Sequence, residues 1–261
     1  LNQGERSTTL KRLLRAQPQR TEATLNFWIH VTDSCNLGCY YCYIDDVDRY
    51  QSSARQAMTS DTAAVVLNRI RSDALIQGVR KIHFKFAGGE PLLALDALRQ
   101  FCKLADATLP SEEFAVSYGV ITNGLSMPDG AIDLIQFRRM NVSISLDGHE
   151  ELHDRTRFVL HDNKRIGSWA QVCSNIARLQ EKGVTPYVLH TVSPANIDGL
   201  ERLQHFLGAK GIGFRLSLVR LDHLPSESSI KRFQDALVRF YSNLPDVFPL
   251  NLRIERDARF A

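Results

Sequence analysis

Six βα units, and hence an α/β protein, are what the sequence predicts, on three observations. From residue 25 onward, short β-branched and aromatic runs alternate with longer segments of helical period. Each run ends in a polar or glycine-bearing loop. The 261 residues suffice for one large domain, or two small ones, with a substantial buried core. With right-handed crossovers, six such units make either a doubly wound sheet or a partial barrel, and periodicity alone leaves both open.

Residues 1–24, which include "GERSTTLKRLLRAQPQRTEA", hold one short amphipathic turn region broken at Pro18 and read as a solvated N-terminal extension. The core follows over 25–243. Its strand candidates are 25–32 (LNFWIHVT), 81–87 (KIHFKFA), 115–122 (AVSYGVIT), 141–147 (NVSISLD), 185–192 (TPYVLHTV) and 213–221 (GFRLSLVRL). Helices are expected to start near Ser60, Leu95, Pro128, Ser168, Ile197 and Ser229. Residues 59–70 (TSDTAAVVLNRI) carry a Thr/Ser/Asp cap before an apolar stripe, and Gly183 and Gly211 stop helices directly before strands. Residues 244–261 are expected to begin a C-terminal region that the chain truncates; Leu1 in place of an initiator methionine points the same way.

The formal charge of +3, from 32 Lys and Arg against 29 Asp and Glu, gives no reason to expect a nucleic-acid partner. No run of eighteen apolar residues and no signal-peptide pattern occurs, so the expectation is a cytoplasmic protein without a membrane partner. Five cysteines, an odd count, point in a reducing compartment to metal or redox chemistry more than to disulfides.

Three of them crowd into 32–44 (TDSCNLGCYYCYI) as Cys35, Cys39 and Cys42. A four-thiolate zinc site is improbable, because Cys102 and Cys173 lie in helical contexts and read as small buried apolar residues. Zinc with His30 or His83 as fourth ligand is a weaker alternative, since both sit inside strand patterns. An iron-sulfur cubane explains the count better: three thiolates leave one iron open to another ligand. Asn36 and Gly38 supply the turns such a loop needs.

The spacing, with Tyr41 immediately before Cys42, resembles the signature of the radical S-adenosylmethionine (radical SAM) enzymes. The resemblance implies a 4Fe-4S cluster whose open iron is chelated by S-adenosyl-L-methionine, and reductive cleavage to a 5'-deoxyadenosyl radical that abstracts hydrogen. It also implies a partial (β/α)6 TIM-like barrel over roughly residues 25–225.

Companion motifs support it. Residues 87–91 (AGGEP), 121–125 (ITNGL) and 143–148 (SISLDG) each end a strand, and plain turn chemistry accounts for any one alone. Together they put functional groups on one rim, where α/β folds bind ligands. Residues 145–157 (SLDGHEELHDRTR) and 165–169 (RIGSW) resemble peptide- and protein-modifying members with a SPASM or twitch extension. Taken by themselves, His153, Asp154 and Arg157 would read as surface ion pairs. By the resemblance, Gly88, Gly89 and Glu90 receive the methionyl ammonium, Ser145 and Arg157 the carboxylate, and Leu221 the adenine, with Tyr41 and Asn123 also at the cofactor.

The implied activity is hydrogen abstraction from a peptide or protein side chain, as in maturation of ribosomal peptides or sulfatases, with a flavodoxin or ferredoxin as electron donor. The alternatives are a radical SAM enzyme acting on a nucleotide or amino acid, and a structural zinc module. No catalytic acid or base is assigned. Auxiliary clusters are expected only if the full chain extends beyond Ala261, because no cysteine follows Cys173.

Overall fold

The structure is a computed structural model that describes residues 23–42, 56–162, 164–219, 231, 234–236 and 238. Strands β1 (Thr24–Thr32), β2 (Lys81–Gly88), β3 (Ala115–Thr122), β4 (Asn141–Ser145), β7 (Tyr187–Val192) and β8 (Phe214–Leu218) neighbour one another in that order, every pair parallel. Between β4 and β7, β5 (Phe158–His161) and β6 (Lys164–Gly167) make a separate antiparallel hairpin. The order of the sheet follows the chain and never reverses. Right-handed crossovers therefore carry the helices to one face, which is the partial barrel and not the doubly wound sheet.

Among the described residues the helices with both ends defined are α1 (Ser60–Gln77), α2 (Leu95–Thr108), α3 (Asp129–Arg138), α4 (Glu150–Thr156), α5 (Trp169–Glu181) and α6 (Leu200–Gly208). The Thr59 hydroxyl caps α1 by accepting the Thr62 N–H. Gly183 and Gly211 end their helices at positive φ, 74° and 64°. Near Ile197 a short 3-10 turn, Ile197–Gly199, precedes α6. Ser229, the N-terminal extension up to residue 22 and the C-terminal segment 244–261 lie outside the described residues.

One interval differs from a simple βα repeat: α4 and the hairpin are inserted between β4 and α5. Each is too short for periodicity to reveal, and the hairpin turns on Asp162 at φ 48°.

Alternation along each strand sorts the two faces. Ile29 and Val31 of β1, Phe84 and Phe86 of β2, Ile144 of β4 and Val188 of β7 pack beneath Leu67, Phe101, Ile135, Leu179 and Leu207 of the helices. Burying each such side chain contributes about 1.5–3 kcal/mol. The other face is polar and more open, with Trp28 half-exposed beneath the Lys85 ammonium at 5.0 Å. Where β1 approaches the rim, its free edge is covered. Met58 N–H donates to the Val31 carbonyl (2.7 Å), and Ala57 bridges Thr32 in antiparallel fashion.

Candidate functional site

The chain leaves β1 at Thr32 and turns through the cysteine segment on the rim formed by the C-terminal strand ends. That loop is docked chiefly through backbone. Gly89 N–H donates to the Thr32 carbonyl (2.8 Å), Glu90 N–H to the Ser34 carbonyl (2.6 Å), and Gly38 N–H to the Phe158 carbonyl (2.8 Å). A Cβ on Gly89 would lie 2.1 Å from the Ser34 oxygen, and one on Gly88, itself at φ 126°, 2.3 Å from the Thr32 oxygen. Both glycines are thus fixed by the close approach of the cysteine loop.

Glu90 is fully buried beneath this junction. Its carboxylate accepts from Thr122 Oγ1 (2.7 Å), Asn123 N (2.7 Å) and Leu92 N (3.1 Å), tying β2 to the end of β3 and capping the turn Pro91–Ala94. Burial pushes its carboxyl up to about 7 despite those donors. Asn123 in turn donates from Nδ2 to Asn36 Oδ1 (2.7 Å) and to Cys35 Sγ (3.7 Å).

The opposite rim, after β4, is held by buried side chains. Asp147 has no exposed surface, and its Oδ1 accepts the Thr191 N–H (2.9 Å) from β7. Its Oδ2 accepts Arg157 Nε (2.9 Å), the Tyr41 hydroxyl and, at 3.4 Å, Thr156 Oγ1. Arg157 also reaches Cys39 Sγ from Nη1 (3.6 Å) and lies 5.4 Å from the Tyr41 ring centre. Burial opposes the Asp147 charge, but the Arg157 guanidinium beside it holds its pKa below the ordinary value. Burial opposes the Arg157 charge as well, and Asp147 keeps it fully protonated.

Behind the pair runs a directed chain. Asp147 N–H donates to His153 Nδ1 (3.1 Å), which puts the ring proton on Nε2 and lets it donate to Ser168 Oγ (2.9 Å). Ser168 Oγ then donates to the Arg157 carbonyl (3.0 Å). Burial pushes His153 down to about 3, so it is neutral. With its hydroxyl so engaged, Ser168 is replaced as cap of α5 by Asp154, whose Oδ1 accepts both the Ser168 and Trp169 N–H groups at 2.8 Å. The two segments 145–157 and 165–169 are therefore halves of one hydrogen-bonded unit.

His153 and Arg157 are buried, and among the described residues of this segment Arg155 with Glu151 makes an exposed pair (2.7 Å). Ser145 is buried at the end of β4, two residues before Asp147. Tyr41, Gly88, Gly89, Glu90, Asn123, Ser145 and Arg157 are thus gathered on the cysteine rim, while Leu221 lies outside the described residues. Asp147 was legible only as a turn residue. His190, fully buried with Nδ1 on the Leu146 carbonyl (3.0 Å), left no signal in a strand that reads as apolar.

The donor set fits a cluster. Burial foremost, with the neighbouring thiols adding to it, pushes Cys39 up to about 12 and Cys35 up as well, so deprotonation there calls for a metal. Among the described residues no three His, Cys, Asp or Glu side chains group to hold a single ion. His83 instead bonds Ser117 Oγ (2.9 Å). Thiols close enough to interact, yet not converging on one point, suit a cubane in which each binds a different iron.

The family model described as the radical SAM superfamily matches residues 29–207. The chain is 27% identical over 200 residues to the cysteine-type anaerobic sulfatase-maturating enzyme of Clostridium novyi, covering 76% of this chain and 52% of that protein. It is 25% identical over 171 residues to the sporulation killing factor maturation protein SkfB of Bacillus subtilis, covering 65% and 36%. A probable GTP 3',8-cyclase of Methanosarcina acetivorans is 26% identical over 204 residues, covering 77% and 56%. The chain thus spans about half or less of the length of these curated relatives. Among solved structures, native anSMEcpe with bound AdoMet and the Cp18Cys peptide superposes with a TM-score of 0.67 at 20% identity, over 84% of this chain and 60% of that one.

Proposed function

The chain belongs to the radical SAM superfamily, whose cofactors are a 4Fe-4S cluster and S-adenosylmethionine, and from that premise we propose that it serves a maturase acting on a peptide or protein side chain. When bound, the cofactors supply a one-electron cleavage that yields a hydrogen-abstracting radical. The residues of this chain hold and shield them. Cys35, Cys39 and Cys42 bind the cluster on a loop clamped by Gly88, Gly89 and Glu90. Ser145 and the fork of Arg157 face the same rim, where a guanidinium suits the amino acid carboxylate.

The observation that carries the reading is the joining of all three thiols' loop to the buried Asp147–Arg157 pair through Tyr41 and Cys39. Similarity to a sulfatase-maturating enzyme and to SkfB supports a peptide or protein substrate. An external flavodoxin- or ferredoxin-type donor and a reducing, cytoplasmic setting complete the proposal, and no described helix is long and apolar enough to cross a membrane. A nucleotide substrate is the second reading, favoured by the similarity to the probable GTP 3',8-cyclase.

The test uses the full-length protein, reconstituted anaerobically with iron and sulfide and given S-adenosylmethionine with a strong reductant. A brown protein that forms 5'-deoxyadenosine is expected. Deuterium carried into that product from labelled peptides, and not from labelled GTP, would support the maturase reading; the converse would select the nucleotide. A protein that stays colourless overturns both.

A further inference from the structure

Two side-chain N–H groups of the site are aimed at sulfur: Asn123 Nδ2 at Cys35 (3.7 Å) and Arg157 Nη1 at Cys39 (3.6 Å). Neither orientation is accidental. The Asn123 amide is fixed from both ends, because Oδ1 accepts the Leu125 N–H (2.9 Å) while Nδ2 also reaches Asn36 Oδ1 (2.7 Å). A flipped amide would lose both bonds. The guanidinium is fixed through Nε by Asp147 (2.9 Å), which is itself pinned by the Thr191 N–H and the Tyr41 hydroxyl.

We propose that Asn123 and Arg157 raise the reduction potential of the bound cluster by donating hydrogen bonds to the Cys35 and Cys39 sulfurs, and that Asp147 is the positioning residue that aims Arg157. This rests on the three-thiol reading of the site. Reduction adds one negative charge, part of which spreads onto the ligating sulfurs. N–H donors and a buried cation beside them stabilise the reduced state more than the oxidised one. A charged donor outweighs a neutral one about twofold, so Arg157 has the larger effect.

The full-length protein, reconstituted anaerobically without S-adenosylmethionine, is titrated against low-potential mediators with the reduced cluster followed by electron paramagnetic resonance. Arg157→Lys keeps the charge but loses the fork that serves Asp147 and Cys39 together. Its potential is expected to fall by about 59 mV or more, tenfold in a one-electron equilibrium. Asn123→Ala should fall less, and Arg155→Lys on the surface should leave the potential unmoved. Identical potentials in wild type, Arg157→Lys and Asn123→Ala would overturn the proposal.

Resonance Raman of the wild type needs no variant and decides the matter if either variant fails to hold a cluster. Iron–thiolate stretches that shift in deuterated water are expected, and stretches that do not shift overturn the proposal. A wild type that binds no cluster overturns the three-thiol reading itself, whereas a cluster with unmoved potentials overturns only the role given to the donors.

Discussion

The two sides of the rim are built on opposite principles. After β1 and β2 the cysteine loop is docked by main-chain hydrogen bonds, and what its partner must supply is the absence of a Cβ at Gly88 and Gly89. After β4 the rim is held by buried charge, with Asp147 and Arg157 in contact and His153, Ser168 and Asp154 organised around them. The first side is sensitive above all to added volume, with Glu90 its one buried ionisable group among those described. The second is sensitive to charge, because an ion left unpaired in a low dielectric has nothing to replace its water.

Adding one methyl should test the first side most severely. In Gly89→Ala the new carbon meets a backbone oxygen 2.1 Å away, so the loop has to move rather than a flexible side chain. Most of the cluster should be lost, read as iron per chain after reconstitution, and full iron content would show that the loop is held by something else. A smaller effect, on folding, is expected from Asp147→Ala, which strands Arg157 in the interior. Denaturant unfolding should report a loss of about 3–5 kcal/mol. A loss near that of a surface pair would erase the contrast between the two sides.

The smallest effect sharpens the contrast through pH. His153 is neutral when folded, at about 3, whereas the unfolded chain protonates it near 6.5. Its contribution is therefore complete above pH 6.5 and declines as pH falls toward 3. Glu90, raised to about 7, works in the opposite sense: its contribution is present below 4.5 and lost as pH rises to about 7. The quantity to measure is the wild-type stability minus that of His153→Gln at each pH. A difference independent of pH would show that His153 takes up its proton without resistance from the fold.

This contrast also explains what could be read in advance. Gly88, Gly89, Glu90 and the three cysteines stand in short contiguous motifs, because a backbone contact constrains residues that are neighbours in the chain. The charge network draws Tyr41, Asp147, His153, Arg157, Ser168, His190 and Thr191 from four separate stretches. By residue type alone the same Asp, His and Arg read as a solvated helix face, and only the family resemblance of residues 145–157 singled out Arg157. Short insertions behave likewise: seven residues of α4 and two four-residue strands of the hairpin are too few to show a period.

Local chemistry along the chain was enough to determine the six-unit βα pattern, the short insertion after β4 aside, and the three-thiol loop, since side-chain alternation, helix caps and ligand spacing all act between near neighbours. Tertiary structure alone decided that the sheet winds in one direction, that the glycines receive the cysteine loop, and that Asp147 with Arg157 is buried. Those outcomes depend on which distant groups exclude water from one another, and that is a property of packing that no local pattern encodes.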